Sequence, residues 1–255
     1  MLYIGTSGFQ YQDWVGPYYP EGLPKKDWLS FYAQEFNTFE INFTYYRMPS
    51  ARTLGGMARK VPDDFVFTIK ATQEMTHTRN RNAALFQEFT DALSPLLEAH
   101  KCGTILAQFP NSFRARAESR EYLKWFREQL AALPVVIEFR NKEWLTDETY
   151  EFLRAQEFGF CAVDEPFFPR MAEVTSHIAY VRFHGRNAQK WWKHDHAYER
   201  YDYTYSQPEL QEWTPKIQAM NAMAETTFVF ANNHYRAQGI DTARQLKLLL
   251  SEPQV

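Results

Sequence analysis

The chain has almost no cysteine: Cys102 and Cys161 are the only two in 255 residues, and neither lies in a CxxC pair or near histidines at metal-ligand spacing. This argues against a disulfide scaffold and a structural zinc site, and both thiols read as reduced packing residues. Long apolar runs are also missing. No stretch of ~18 or more apolar residues occurs and no basic, apolar leader opens the chain, so a soluble, cytoplasmic protein with no membrane partner is expected. Nor is there a surplus of one charge. A formal net charge of −3 supplies no overall field for nucleic acid, which favours a small substrate, and nucleic-acid binding would need a local patch. Gly/Ser linkers, low-complexity tracts and repeats are absent as well, so nothing divides residues 1–255 into two domains.

What is abundant is aromatic. Phe, Trp and Tyr make up 17% of a chain whose hydrophobic share, 45%, is ordinary, so many rings must lie outside the core. Short β-branched and aromatic runs recur at 2–6, 38–43, 65–70, 103–109, 134–140, 159–164, 178–184 and 226–232. Between them, helical apolar spacing appears at 26–36, 51–60, 83–99, 119–132, 147–157, 207–223 and 240–250. Pro166 and Pro169 leave room for only a short turn in 165–177, whereas Ser206 and Glu209 have capping-box spacing with Pro208 in the first turn. Eight strands alternating with helices in a chain of this length predict an α/β fold, a single (β/α)8 TIM barrel of eight parallel strands with outer helices.

Side chains alternate across a strand, so each strand sorts into a face toward the helices and a face toward the barrel axis. In 134–140, Val135, Ile137 and Phe139 face the helices, while Glu138 and Arg140 turn inward. The same test puts Arg182 and His184 inward on the seventh strand and Glu40 and Asn42 inward on the second. Lys70, Gln108 and Asp164 then stand at or near the last inward positions of the third, fourth and sixth strands, and Asn232 or Asn233 ends the eighth. A barrel needing only stability would place Val, Ile or Leu there, so polar strand ends at the catalytic face mark a candidate site. The competing structural reading is that Glu40, Glu138 and Asp164 simply pair with Lys70, Arg140 and Arg182 as internal salt bridges.

The segment 185–205 contains no Leu, Ile or Val but interleaves Arg186, Lys190, Trp191, Trp192, Lys193 and several tyrosines, the composition of a lid or binding loop. With 232–236 and Gly239 it also occupies the place where such barrels often hold phosphate.

Several blocks also resemble the domain of unknown function 72, or YecE-like, family: IGTSGFQYQDWVGPYYP at 4–20, FEINFTYYRMP at 39–49, FVFTIKATQEMTH at 65–77, LAQFP at 106–110, IEFRNKEW at 137–144, YVRFHGR at 180–186 and FANNH at 230–234. Phe9 stands where the family pattern commonly has Trp. The resemblance implies a single barrel domain and the location of its site, not a reaction.

Three functions are therefore expected from the residues. The first is acid–base catalysis on a small anionic, phosphorylated or sugar-like substrate, with Glu40 or Glu138 as acid or base and His184 as proton shuttle, steered by Lys70, Arg140, Arg182 and Arg186. A glycosidase variant would set Glu40 and Glu138 across a sugar. The second is a metal-dependent hydrolase or isomerase using Glu40, Glu138, Asp164 and His184 as ligands. The third is binding without catalysis, to a small molecule or to nucleic acid through the aromatic–cationic loop. Asn42, Gln108, Asp164, Trp191, Asn232 and Asn233 are expected to contact the ligand. The residues assign no cofactor and no oligomeric state.

Overall fold

Strands buried on both faces read as nearly continuous apolar runs, and eight of them close on one another here. They are β1 (Leu2–Ser7), β2 (Thr38–Ile41), β3 (Val66–Lys70), β4 (Cys102–Phe109), β5 (Val135–Phe139), β6 (Phe158–Asp164), β7 (Ile178–Phe183) and β8 (Thr226–Ala231). Every pairing is parallel, and β8 closes the barrel on β1 from Leu2 opposite Thr227 to Thr6 opposite Ala231. The computed structural model describes residues 1–251, so the last four residues of the expected domain lie outside the described residues. Among the described residues no helix is long and apolar enough to cross a membrane.

The outer ring consists of α1 (Trp28–Tyr32), α2 (Ala51–Ala58), α3 (Ala83–Ala92), α4 (Ser94–Glu98), α5 (Ala117–Gln129), α6 (Asp147–Ala155), α7 (Gln207–Gln211), α8 (Thr214–Met223) and α9 (Gln238–Ser251). Two helices expected to be continuous, 83–99 and 207–223, are each split, with Pro95 and Pro215 in the first turn of the second piece. Proline has no N–H for the preceding turn, so each break falls where a helical bond would be lost. The segment 165–177 forms no helix, and Glu209 accepts the Ser206 backbone N–H at 2.8 Å to start α7 as the capping box predicts.

Packing follows the strand alternation. Phe39, Phe67, Ile105, Ile137 and Val181 point outward into the helix-facing core, while Leu106, Val136, Cys161, Val163, Tyr180, Phe228 and Phe230 fill the barrel. Gly103 makes room inside, since a Cβ there would lie 2.6 Å from the Phe228 ring.

The narrowest join is between β1 and β2, whose register comprises only Thr6 with Phe39 and Ser7 with Glu40. Below it the buried Tyr32 hydroxyl stands in for the ladder, accepting from the Thr6 N–H at 3.0 Å and donating to the Thr38 carbonyl at 3.1 Å. Tyr32→Phe leaves both backbone groups unpaired in the interior. It is expected to cost about 1–3 kcal/mol, read as a fall of several degrees in the thermal unfolding midpoint; an unchanged midpoint would show that the strands close without the hydroxyl.

Candidate functional site

β2, β5 and β7 bring Glu40, Glu138 and Arg182 to one level of the barrel axis, each at most 1% exposed. Arg182 spans the two carboxylates: Nη1 donates to Glu138 Oε2 and Nη2 to Glu40 Oε1, both at 2.6 Å. Tyr180 donates its hydroxyl to the other Glu40 oxygen at 2.7 Å. Just past β5, Arg140 donates through Nε to Glu138 Oε1 and through Nη1 to Glu165 Oε2. The result is an unbroken run of alternating charge: Glu40, Arg182, Glu138, Arg140, Glu165.

Three carboxylates share two guanidiniums in this run, so full ionisation would leave one carboxylate without a guanidinium of its own. The excess falls on the end of the run that faces a cavity. Burial, with the neighbouring Glu138, pushes the Glu165 carboxyl up to about 7 against the opposing pull of Arg140. Burial also resists ionisation of Glu138, but Arg140 and Arg182 outweigh it and hold that carboxyl well below the usual range.

His184 lies beneath the cavity with no exposed surface. Burial and then Arg140 lower its pKa to about 3, so the ring is neutral near pH 7. Its Nε2 lies 3.0 Å from Arg140 Nη2 and its Nδ1 2.8 Å from the Asn232 side-chain nitrogen, so both ring nitrogens face N–H donors. His184, expected as a proton shuttle, is thus held between Arg140 and Asn232 behind the cavity rather than in its lining.

The cavity above has a volume of about 970 Å³ and opens at the C-terminal ends of the strands. Its floor includes Arg182, Arg140, Glu165 and Lys70, its walls Tyr11, Tyr45, His77, Trp191, Tyr201 and His234, and its rim Lys142, Arg200 and the exposed Trp192. Lys70 donates to Gln108 Oε1 at 2.9 Å and lies 4.6 Å over the Tyr45 ring. No carboxylate among the described residues stands within ion-pair distance of it. Burial, and then Arg182, lowers the Lys70 ammonium to about 8.

Asn42, Lys70, Gln108, Arg140, Arg182, Trp191 and Asn232 therefore line one cavity, with Glu40, Glu138 and His184 directly behind its floor. Three expected residues do not join them. Asp164 pairs in register with the outward Phe183, not with Arg182, and accepts from the Trp213 indole and the Tyr205 hydroxyl at 2.7 Å each. Arg186 is drawn outward with it, donating to Asp164 and also pairing with Glu209 and Glu212. Asn233 is buried on the helix side and donates to the Tyr203 carbonyl and Thr242 Oγ1, both at 2.9 Å. The expected phosphate cradle after β8 is likewise taken, because the Arg236 N–H donates to Asp13 Oδ2 at 2.6 Å.

β6 misled the parity test because Phe160, Cys161, Ala162 and Val163 are apolar on both faces. The signal that finds Glu165 is the neighbouring strand: Val163 is level with the inward Arg182, so Glu165 is the next inward position. Tyr45, His77 and His234 come from segments beyond the strands, where alternation gives no guidance. The expected metal set does not assemble, since Asp164 is on the far face and the oxygens of Glu40 and Glu138 are engaged by guanidinium and phenol groups. Among the described residues no group of three or more His, Cys, Asp or Glu could hold a metal ion. The glycosidase arrangement fails as well, because the Arg182 guanidinium fills the space between Glu40 and Glu138 where a sugar would lie.

A closed parallel barrel carrying its polar cavity at the C-terminal strand ends places the molecule among TIM-barrel proteins. More particularly, the chain belongs to the family described as protein of unknown function DUF72, which it matches over residues 3–255. It is 31% identical over 270 residues to UPF0759 protein YunF of Bacillus subtilis, covering 98% of this chain and 95% of that one. The crystal structure of a DUF72 family protein from Thermotoga maritima superposes with a TM-score of 0.92 at 39% identity, covering 99% of this chain and 100% of the other. A DUF72 family protein from Enterococcus faecalis shares the fold at 24% identity and a TM-score of 0.87, covering 100% of this chain and 97% of its own.

Two outcomes follow from the charge run. Glu138→Gln leaves both arginines facing a neutral amide, and breaking a buried pair in this way costs about 3–5 kcal/mol; a denaturant midpoint equal to wild type would contradict the pairing. Native Glu165 keeps a proton that the unfolded chain releases near pH ~4.3, so its contribution to stability falls as pH rises from there to about 7. Glu165→Gln should lose that fall, so that its stability relative to wild type grows across the interval in urea titrations. Parallel profiles would refute the assignment.

Proposed function

We propose that the chain is an enzyme that binds a small anionic substrate, phosphorylated or sugar-like, in this cavity and moves a proton on it with Glu165 and Lys70. One observation carries the reading: a carboxyl raised to about 7 and an ammonium lowered to about 8 face the same cavity. Acid–base groups work best with pKa values near the operating pH, and environments that bring an acid and a base toward neutrality assign their roles. Glu165 is present in both forms at pH 7 and serves as acceptor and donor. Lys70, largely protonated, holds the anionic group or a developing oxyanion. Glu40, Glu138 and His184, first expected to act on substrate themselves, instead position Arg140 and Arg182.

The lining also supports the substrate class. Lys70, Lys142 and Arg200 supply positive charge free of carboxylate partners among the described residues, and Tyr45, Trp191 and Tyr201 offer ring faces suited to a sugar. Proton transfer of this kind serves isomerisation or hydrolysis. Nucleic-acid binding has less in its favour, because Arg186 and Lys190, its expected cations, are already paired with Asp164 and Glu199.

Thermal-shift measurements with sugar phosphates at low salt test the reading. A compound present at 100 times its Kd stabilises by about 2.7 kcal/mol. Lys70→Met should abolish that response without lowering the ligand-free midpoint, because it removes a desolvated charge. If no phosphorylated compound stabilises the protein, or if Lys70→Met responds as wild type does, the reading is wrong.

A further inference from the structure

A second cavity, of about 610 Å³, lies beside the first and shares Tyr11, Asn42 and Tyr46 with it as a dividing wall. Its floor is apolar, built from Phe9, Leu29, Phe39, Ile41, Phe43 and Met57. Around the mouth stand Lys25, Lys26, Arg47, Arg52 and Lys60, all exposed. No carboxylate lines this cavity, and none among the described residues lies within ion-pair distance of any of those five cations. In a chain of net charge −3, five clustered cations without counter-charges around an apolar hole form a local field of opposite sign to the whole.

A glycine in the adjoining helix fits a space kept open. Gly56 lies inside α2, where glycine costs about 1 kcal/mol relative to alanine, yet a Cβ added there would meet only the far end of Arg59, at 3.9 Å. Neither packing nor a left-handed backbone requires glycine at this position; what its missing side chain preserves is room along the cavity wall.

We propose that this cavity is a binding site for an amphiphilic organic anion, with an acyl chain or aryl ring in the apolar floor and a phosphate, sulfonate or carboxylate on the lysine and arginine rim. Neither half suffices alone. A bare anion finds only exposed lysines and arginines, and a neutral hydrocarbon gains nothing from the rim. The site stands apart from the proposed chemistry at Lys70 and Glu165 and does not require it.

The test is calorimetric titration of octyl phosphate and of 8-anilinonaphthalene-1-sulfonate into the Lys70→Met protein, in which the neighbouring cavity has lost the buried ammonium on its floor. Both probes should bind, at least tenfold more tightly than octanol or inorganic phosphate, and more weakly as salt rises. Gly56→Leu, which improves helix propensity while filling the cavity, should reduce affinity at least tenfold. Arg47→Gln with Lys60→Gln, exposed changes that leave folding intact, should lower affinity and flatten its salt dependence. The proposal is overturned if neither probe binds, if inorganic phosphate competes as well as octyl phosphate, or if both variants bind as the parent does.

Discussion

Two guanidiniums shared among three buried carboxylates are the constraint on which the rest of this site depends. Removing these charges from water costs several kcal/mol per ion, and the cost is recovered only if each oxygen finds a donor at short range. The barrel supplies that by register: Ser7 is level with Glu40, Glu40 with Thr68, and Gln108 with Glu138, so the charged layer sits directly above the apolar filling. Tyr180 completes Glu40, and the neutral ring of His184 completes Arg140. A barrel under pressure for stability alone would fill this layer with aliphatic residues.

The same accounting explains why reactivity collects at the cavity floor. The interior members of the run are compensated on both sides and stay charged at any ordinary pH. Glu165, at the open end, has half a partner and so lies near its titration point, while Lys70 across the floor has only the neutral Gln108 and the face of Tyr45. Charge that is surplus within the protein is available to a ligand.

The barrel itself was legible in the sequence because its parallel strands, buried on both faces, alternate with amphipathic segments. β7, read at 178–184, is observed at Ile178–Phe183, and the inward Arg182 and His184 fall where alternation puts them. The helix breaks at Pro95 and Pro215 were hidden by apolar spacing that continues across them. Asp164 and Glu165 could not be separated from β6 alone, since its uniform apolarity leaves alternation without contrast, and only pairing with β7 resolves them. The two-residue uncertainty at the end of β8 resolves to Asn232 in the cavity and Asn233 against α9. The aromatic walls drawn from the loops depended on chain paths that no local pattern encodes.

The most direct test of the shared-charge account is the titration of Glu165 itself, followed by carbon-13 NMR of side-chain-labelled glutamate with Glu165→Gln identifying the resonance. The account predicts a midpoint near about 7, while the Glu138 carboxylate shows no titration down to the acid limit of folding. A Glu165 midpoint near the ordinary glutamate value of ~4.3 would mean that Arg140 fully compensates both of its carboxylates, and the excess charge on which the account rests would not exist.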